Sequence, residues 1–147
     1  NALRRYAPRV GMAAEFPFDI ELSVRYRDLD TLEHVNNAGY GTYLEQARLE
    51  YFKTVLGIPF EEWEMVLAGI EMDFRRPIVL DDESVRIECG VTDIGESSFR
   101  MGYRVYAGGS DEPSATGETT LVVVDEGGTK PIPPAWEESF QEFEPGL

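Results

Sequence analysis

The chain has 147 residues, of which 42% are hydrophobic and 12% aromatic, so it is long enough for one core and predicts one folded domain. Its 13 basic and 28 acidic residues give a formal net charge of −15, which argues against nucleic acids and anionic membranes as partners. No apolar run approaches the roughly 20 residues that cross a bilayer, and no signal-peptide pattern opens the chain, so we expect a cytoplasmic protein.

The basic residues are almost all arginine. Only Lys53 and Lys130 are lysines, a bias that resembles proteins of salt-loving organisms. In molar salt the Debye length falls to about 3 Å, which screens the repulsion among acidic side chains. We therefore expect a halophilic protein that loses stability in dilute buffer.

The predicted elements begin after residues 1–14, which lack periodicity and are interpreted as a flexible N-terminal extension. The first strand alternates, and its apolar face carries Phe16, Phe18, Ile20, Leu22, Val24 and Tyr26. A polar loop then leads into a helix over residues 37–56, with Asn36 or Asn37 as N-cap and Gly57 after its last turn.

The rest of the chain reads as strands. A short helix is predicted at 59–63, and strands at 66–77, 84–92, 98–107 and 115–124. One long helix followed by four consecutive strands predicts an α+β fold, with an antiparallel sheet and the helix on one face. The predicted domain spans residues 15–136. Residues 137–147 are predicted to be an acidic C-terminal tail whose last residues are disordered.

The loop ahead of the long helix concentrates the residues that could carry chemistry. Asp30 precedes a helix start, where unpaired N–H groups and the positive end of the helix dipole can polarise a carbonyl. An ionised carboxylate there can attack such a carbonyl or deprotonate a water that does, while the N–H groups of Asn37 and Ala38 hold the oxyanion. The alternative is that Asp28 and Asp30 only cap a turn.

The loop and helix contain Asp28-x-Asp30, His34-Val35-Asn36-Asn37, Tyr40 and Glu45-Gln46-Ala47-Arg48, and the later strands contain Asp73-Phe74-Arg75-Arg76-Pro77 and Ser97-Ser98. In these motifs the chain resembles the acyl-CoA thioesterases of the hotdog fold, and most closely the family named for 4-hydroxybenzoyl-CoA thioesterase. The resemblance implies a five-stranded antiparallel sheet wrapped around one central helix. It also implies hydrolysis of an acyl-CoA thioester to a free acid and CoA, with no cofactor beyond the CoA of the substrate. The family usually has Gly where this chain has Glu33, which takes a positive φ only at a cost.

The resemblance also assigns roles to residues. Asp30 is the catalytic carboxylate, as nucleophile or general base, and Asn37 is the helix-start residue whose N–H polarises the thioester. His34, the only histidine, is a candidate for proton transfer, for a wall of the site or for a loop anchor. Further candidates for substrate binding are Ala38, Tyr40, Glu45, Arg75, Arg76, Ser97 and Ser98.

The remaining expectations concern packing, metals and partners. The Tyr40, Tyr43 and Tyr51 stripe is predicted to be core, and Glu45 and Arg48 are expected to pair on one helix face. No metal site is expected, because the loop acids and His34 match no standard motif, and Cys89 is predicted to be a small buried side chain. Subunits of the family pair along their sheets, which implies a homodimer or homotetramer.

Two other functions stay open on the same fold. One is a non-catalytic acyl-CoA-binding or sensing protein. The other is a dehydratase, which would require a catalytic histidine together with a carboxylate on the central helix. The sequence does not indicate which acyl group is preferred.

Overall fold

A computed structural model of the protein describes residues 16–147, and the predicted extension at 1–14 lies outside them. The helices and strands are β1 (Phe18–Ser23), α1 (Asn37–Val55), β2 (Met65–Phe74), β3 (Ser84–Ile94), β4 (Ser98–Ala107), β5 (Ala115–Asp125), β6 (Gly128–Thr129) and α2 (Pro134–Phe143). Short 3-10 helices occur at Tyr26–Asp28, Phe60–Glu62 and Leu80–Asp82. No helix among the described residues is long and apolar enough to cross a membrane.

The strands form one curled antiparallel sheet in the order β1-β3-β4-β5-β2, and the short β6 pairs with β5. Side chains alternate across β3, where Val85, Ile87 and Cys89 are fully buried and point toward α1. The antiparallel five-stranded hotdog sheet with its long helix is thus confirmed. Cys89 is buried, as predicted.

Helix α1 begins and ends where its sequence indicates. Asn36 is the N-cap, and its side-chain oxygen accepts a hydrogen bond from the Gly39 N–H at 2.7 Å. Gly57 follows the last turn with φ of +64°, a conformation that favours glycine. The inner face is formed by Tyr40, Tyr43, Leu44, Ala47, Tyr51 and Phe52, all buried, which confirms the predicted core stripe.

The expected pair between Glu45 and Arg48 is wrong. Arg48 is only 8% exposed and belongs to the buried face of α1, where it lies near Tyr103. Glu45 is exposed. The i, i+3 spacing therefore spans the boundary between the buried and solvated faces, and no ion pair joins these two described residues.

Two segments differ from the prediction. The first strand was expected to continue to Tyr26, but β1 ends at Ser23 and the chain turns into the 3-10 helix, which leaves Tyr26 81% exposed. The acidic tail predicted at 137–147 is helical over most of its length. Helix α2 covers residues 137–143 of this tail. Trp136, Phe140 and Phe143 recur at helical spacing and pack against the core, and Leu147 beyond the helix also packs there.

The chain beyond α2 is anchored by Glu144. Its Oε2 atom accepts hydrogen bonds from the Tyr51 hydroxyl at 2.5 Å and from the Val91 N–H at 3.2 Å. Burial raises the pKa of this carboxyl. Gly90 makes room for this carboxylate, since a Cβ at position 90 would meet its two oxygens at 2.7 and 2.8 Å.

The predicted boundary between the domain and the C-terminal tail at residue 136 stays a prediction.

Candidate functional site

The loop between β1 and α1 forms a tight hairpin against the connection between β2 and β3. Leu29 pairs with Val35, His34 pairs with Val79, and the Asp30 N–H donates to the His34 carbonyl at 2.8 Å. The Asp30 carboxylate closes this hairpin, because its Oδ1 atom accepts from the N–H groups of Leu32 at 2.8 Å and His34 at 3.2 Å. Its Oδ2 atom has no hydrogen-bond partner within residues 16–147. Asp30 therefore does cap this turn, and the capping uses only one of its two carboxylate oxygens.

Glu33, at the tip of the hairpin, has φ of +64°. This is the left-handed region, which costs a residue with a Cβ about 1 kcal/mol or more and glycine almost nothing. The departure from the family's Gly therefore leaves the fold of the loop intact and introduces backbone strain beside Asp30.

Asp28 ties the loop to α1 from behind. It is only 4% exposed and accepts hydrogen bonds from the Arg25 N–H, the Arg25 guanidinium and the Tyr43 hydroxyl at 2.9, 3.0 and 2.8 Å. Burial raises the pKa of this carboxyl, but the hydrogen bonds outweigh it and hold the pKa below its usual value. Gly39 allows the first turn of α1 to lie close to this loop, since a Cβ at position 39 would be only 3.0 Å from the Val35 side chain. Asp28 thus holds the loop in place.

The start of α1 opens into a cleft of about 310 Å³, which we call the helix-start cleft. The N–H groups of Asn37 and Ala38 have no hydrogen-bond partner among residues 16–147. The Asn36 side chain accepts from the Gly39 N–H, and the Asn36 carbonyl accepts from the Tyr40 N–H. The cleft is lined by Asp30, His34, Val35, Asn37, Tyr40, Phe74, Arg75, Arg76 and Pro77. The structure therefore brings a carboxylate, free helix-start donors and two arginines to one place.

Tyr40 and the two arginines form the far wall of this cleft. The Tyr40 ring packs edge-on against Phe74, with centroids 4.9 Å apart. Burial and the charge of Asp82 raise the pKa of Tyr40 to about 12, so its hydroxyl stays protonated and can donate. The N–H groups of Arg75 and Arg76 donate to the Ser114 carbonyl at 2.8 and 3.1 Å, and the Arg76 guanidinium binds Glu112.

Some sequence candidates lie elsewhere. Ser98 pairs with Val122 on β5, whereas Phe74 pairs with Ala115, seven residues away and roughly 24 Å along the strand. Ser97 and Ser98 are therefore at the opposite end of the sheet from Phe74. A role for them toward a neighbouring subunit stays a prediction. Glu45 and Ala38 are exposed, and their side chains do not line the cleft, although the Ala38 N–H lies at the helix start.

A second cleft, which we call the loop cleft, adjoins the first and has a volume of about 510 Å³. It lies between the hairpin and the 3-10 helix at Leu80–Asp82, and is lined by Tyr26, Leu29, Asp30, Leu32, Glu33, His34, Val79, Leu80 and Asp81. Asp30 and His34 line both clefts. Sequence reasoning missed the loop cleft, because the contact between residues 26–34 and 79–81 depends on the fold.

The arrangement is suited to attack on a carbonyl. A carbonyl oxygen at the free N–H groups of α1 would be polarised by two donors and the helix dipole, and Asp30 lines the same cleft as Asn37. Within residues 16–147 no group of three or more His, Cys, Asp or Glu side chains is placed to hold a metal ion.

Comparison with known proteins gives consistent matches. A family model described as the thioesterase-like superfamily matches residues 24–142. A thioesterase from Thermus thermophilus, solved in complex with coenzyme A and zinc, is 40% identical, with a TM-score of 0.80 over 88% of this chain and 96% of that one. The uncharacterized protein YsmA of Bacillus subtilis is 29% identical over 86% of this chain and 84% of its own. The long-chain acyl-CoA thioesterase FadM of Escherichia coli is 37% identical over 42% of this chain and 49% of its own.

Proposed function

The chain belongs to the thioesterase-like superfamily and is a thioester hydrolase, and from this premise we propose that it hydrolyses acyl-CoA esters, with Asp30 as the reacting carboxylate. The resemblance seen in the sequence is thereby confirmed. One observation carries the proposal. Asp30, whose Oδ2 atom has no hydrogen-bond partner among residues 16–147, lines the same cleft as Asn37 at the start of α1. The coenzyme A bound to the Thermus relative and the named activity of the E. coli relative support acyl-CoA as the substrate.

The helix start acts on the carbonyl. The thioester oxygen accepts hydrogen bonds from the N–H groups of Asn37 and Ala38, and the positive end of the α1 dipole favours the negative charge that develops there. These donors are fixed by the Asn36 cap and the helix, so no rearrangement is needed when the charge forms.

Asp30 supplies the other half of the reaction by one of two routes. As nucleophile, its Oδ2 forms a bond to the carbonyl carbon, the C–S bond breaks, CoA leaves as a thiolate that takes a proton from water, and a second water hydrolyses the anhydride. As general base, it removes a proton from a water whose oxygen attacks the carbon, and that proton passes to the leaving thiolate. Both routes yield a free acid and CoA.

The other residues of the helix-start cleft orient the substrate. His34 forms a wall shared with the loop cleft, and its backbone anchors Asp30. Arg75 and Arg76 place positive charge at the cleft in a protein of net charge −15, where CoA phosphates require it. CoA enters as part of the substrate, so no separate cofactor is proposed.

We also propose that the protein is a homodimer built on β2. Within the described chain β2 pairs only with β5, and its other edge has no partner strand among residues 16–147. Val66, Leu67, Ile70 and Phe74 on this strand are each 46% to 50% exposed. Because Phe74 also lines the helix-start cleft, a partner docked on β2 would border the site.

Replacing Asp30 by Asn tests the mechanism. The amide oxygen of Asn can accept the Leu32 and His34 N–H bonds that Oδ1 accepts, so the hairpin should be kept while the charge is lost. We expect release of free CoA thiol from a panel of acyl-CoA esters in molar KCl to fall at least about a hundredfold.

The matched control is Asp93→Asn, which removes an exposed carboxylate on β3 outside both clefts and should leave the rate unchanged. Full activity in the Asp30→Asn variant, with an unaltered melting temperature, would exclude the proposed role of Asp30. Absence of thiol release by the parent protein from every ester would instead favour a non-catalytic acyl-CoA-binding protein.

A further inference from the structure

The two clefts that meet at Asp30 and His34 differ in chemistry. The helix-start cleft contains Arg75, Arg76 and the free N–H groups of α1. The loop cleft has no arginine or lysine in its lining, and five of its nine lining residues are apolar or aromatic, beside Asp30, Glu33, His34 and Asp81. A substrate that is anionic at one end and apolar at the other would therefore find different surroundings on the two sides of Asp30.

The apolar wall of the loop cleft is solvated to an unusual degree. Tyr26, Leu32 and Leu80 are 81%, 73% and 42% exposed. Among the side chains that the structure describes, every other exposed large hydrophobic residue lies on β2. Outside that strand, the exposed large hydrophobic side chains described by the structure thus line the loop cleft, and such side chains beside a polar site indicate a ligand surface.

A hydrogen bond links the apolar wall of the loop cleft to the Asp30 carboxylate. The Leu32 N–H donates to Asp30 Oδ1 at 2.8 Å, so the residue that forms part of the apolar wall is positioned by the same carboxylate that faces the thioester. A group attached to a carbonyl at Asp30 would begin at the mouth of the loop cleft, because Asp30 lines both cavities.

We infer that the loop cleft binds the acyl group of the substrate, with Tyr26, Leu32 and Leu80 as its specificity-determining residues, and that this acyl group is apolar and uncharged. This inference rests on the proposed function, since it takes the helix-start cleft as the side of CoA. The cleft volume of about 510 Å³ falls within the range of small-molecule sites. Glu33 and Asp81 at its rim disfavour an acyl group that ends in a carboxylate.

Binding of thioether analogues tests the inference without relying on turnover. S-octyl-CoA has no carbonyl and cannot be hydrolysed, and its Kd is compared with that of CoA by calorimetry in molar KCl. We expect S-octyl-CoA to bind the parent at least about tenfold more tightly than CoA. In the double variant Leu32→Ala/Leu80→Ala this gain should fall to about twofold. The backbone N–H that Leu32 donates to Asp30 remains in that variant.

The matched control is Leu49→Ala, which truncates a half-buried leucine of α1 that lines neither cleft and should keep the full gain. An octyl analogue with a terminal carboxylate should lose most of the gain in the parent. The inference is overturned if the parent shows no gain, if the double variant keeps it, or if the double variant weakens CoA and S-octyl-CoA equally, which would place the CoA moiety in the loop cleft.

Thiol release from octanoyl-CoA, measured on the same samples, separates the two proposals. A parent that binds S-octyl-CoA with the expected gain and releases no thiol contradicts the proposed hydrolysis while supporting the acyl cleft. A parent that releases thiol and shows no gain contradicts only the acyl cleft.

Discussion

At the scale of single residues, the site is built from a short run of sequence. Asp30, His34 and Asn37 are brought together by one hairpin and one helix cap, so local patterns predict that they lie together, whereas their roles rest on the family resemblance. Arg75 and Arg76 reach the same cleft only because β2 crosses the sheet beside β5. No local rule predicts this proximity, because it depends on the path of β2 through the sheet.

Glu33 offers a test at this scale. Replacing it by Gly relieves the positive φ of +64°, whereas replacing it by Ala removes the same carboxylate and keeps the strain. We expect the Gly variant to have a free energy of unfolding about 1 kcal/mol higher than the Ala variant, measured by denaturant titration at one salt concentration. Equal stabilities would mean that the hairpin tip relaxes out of the left-handed region.

At the scale of elements, the sequence was most informative where caps and periodicity agreed. The Asn36 cap and Gly57 bound α1 at both ends, and β3 and β4 begin at the residues where the sequence predicts them. The α2 segment was misjudged because its acidic residues suggested a solvated tail, although Trp136 and Phe140 carried a helical signal. The buried position of Arg48 could not be read from its spacing, since burial depends on how the sheet wraps the helix.

The β2 edge gives a prediction at the same scale. Replacing Ile70, at the centre of the exposed apolar row, by Lys should convert a dimer into a monomer in sedimentation experiments, because a desolvated charge would lie in the interface. Leu32→Lys places the same charge at an exposed leucine outside β2 and should leave the dimer intact. A parent that sediments at the monomer mass of 16.6 kDa in molar salt would contradict the β2 dimer.

At the scale of the whole molecule, charge dominates. The acidic side chains that give the net charge of −15 repel one another across a small domain. Exposed ion pairs such as Lys53 with Glu50 each stabilise the fold by only about 1 kcal/mol or less. Salt weakens both the repulsion and the ion pairs, but the repulsion summed over the acidic side chains is larger than the stabilisation from the ion pairs. The melting temperature followed by circular dichroism should therefore rise by about 5 °C or more between 0.1 M and 2 M KCl.

Matched sucrose solutions serve as the control, because they favour compact states without screening charge. A melting temperature that does not change with KCl would contradict the expectation of a halophilic protein. An equal rise in sucrose would assign the effect to solvent exclusion.

The hairpin that holds Asp30 has a consequence for the rate itself. The N–H groups of Leu32 and His34 fix the Asp30 carboxylate before any ester binds. The conformational entropy of orienting this carboxylate is therefore lost during folding and not during the reaction. The activation entropy of the acid-forming step should accordingly be small, and warming should speed turnover chiefly through the enthalpy of breaking the carbon–sulfur bond.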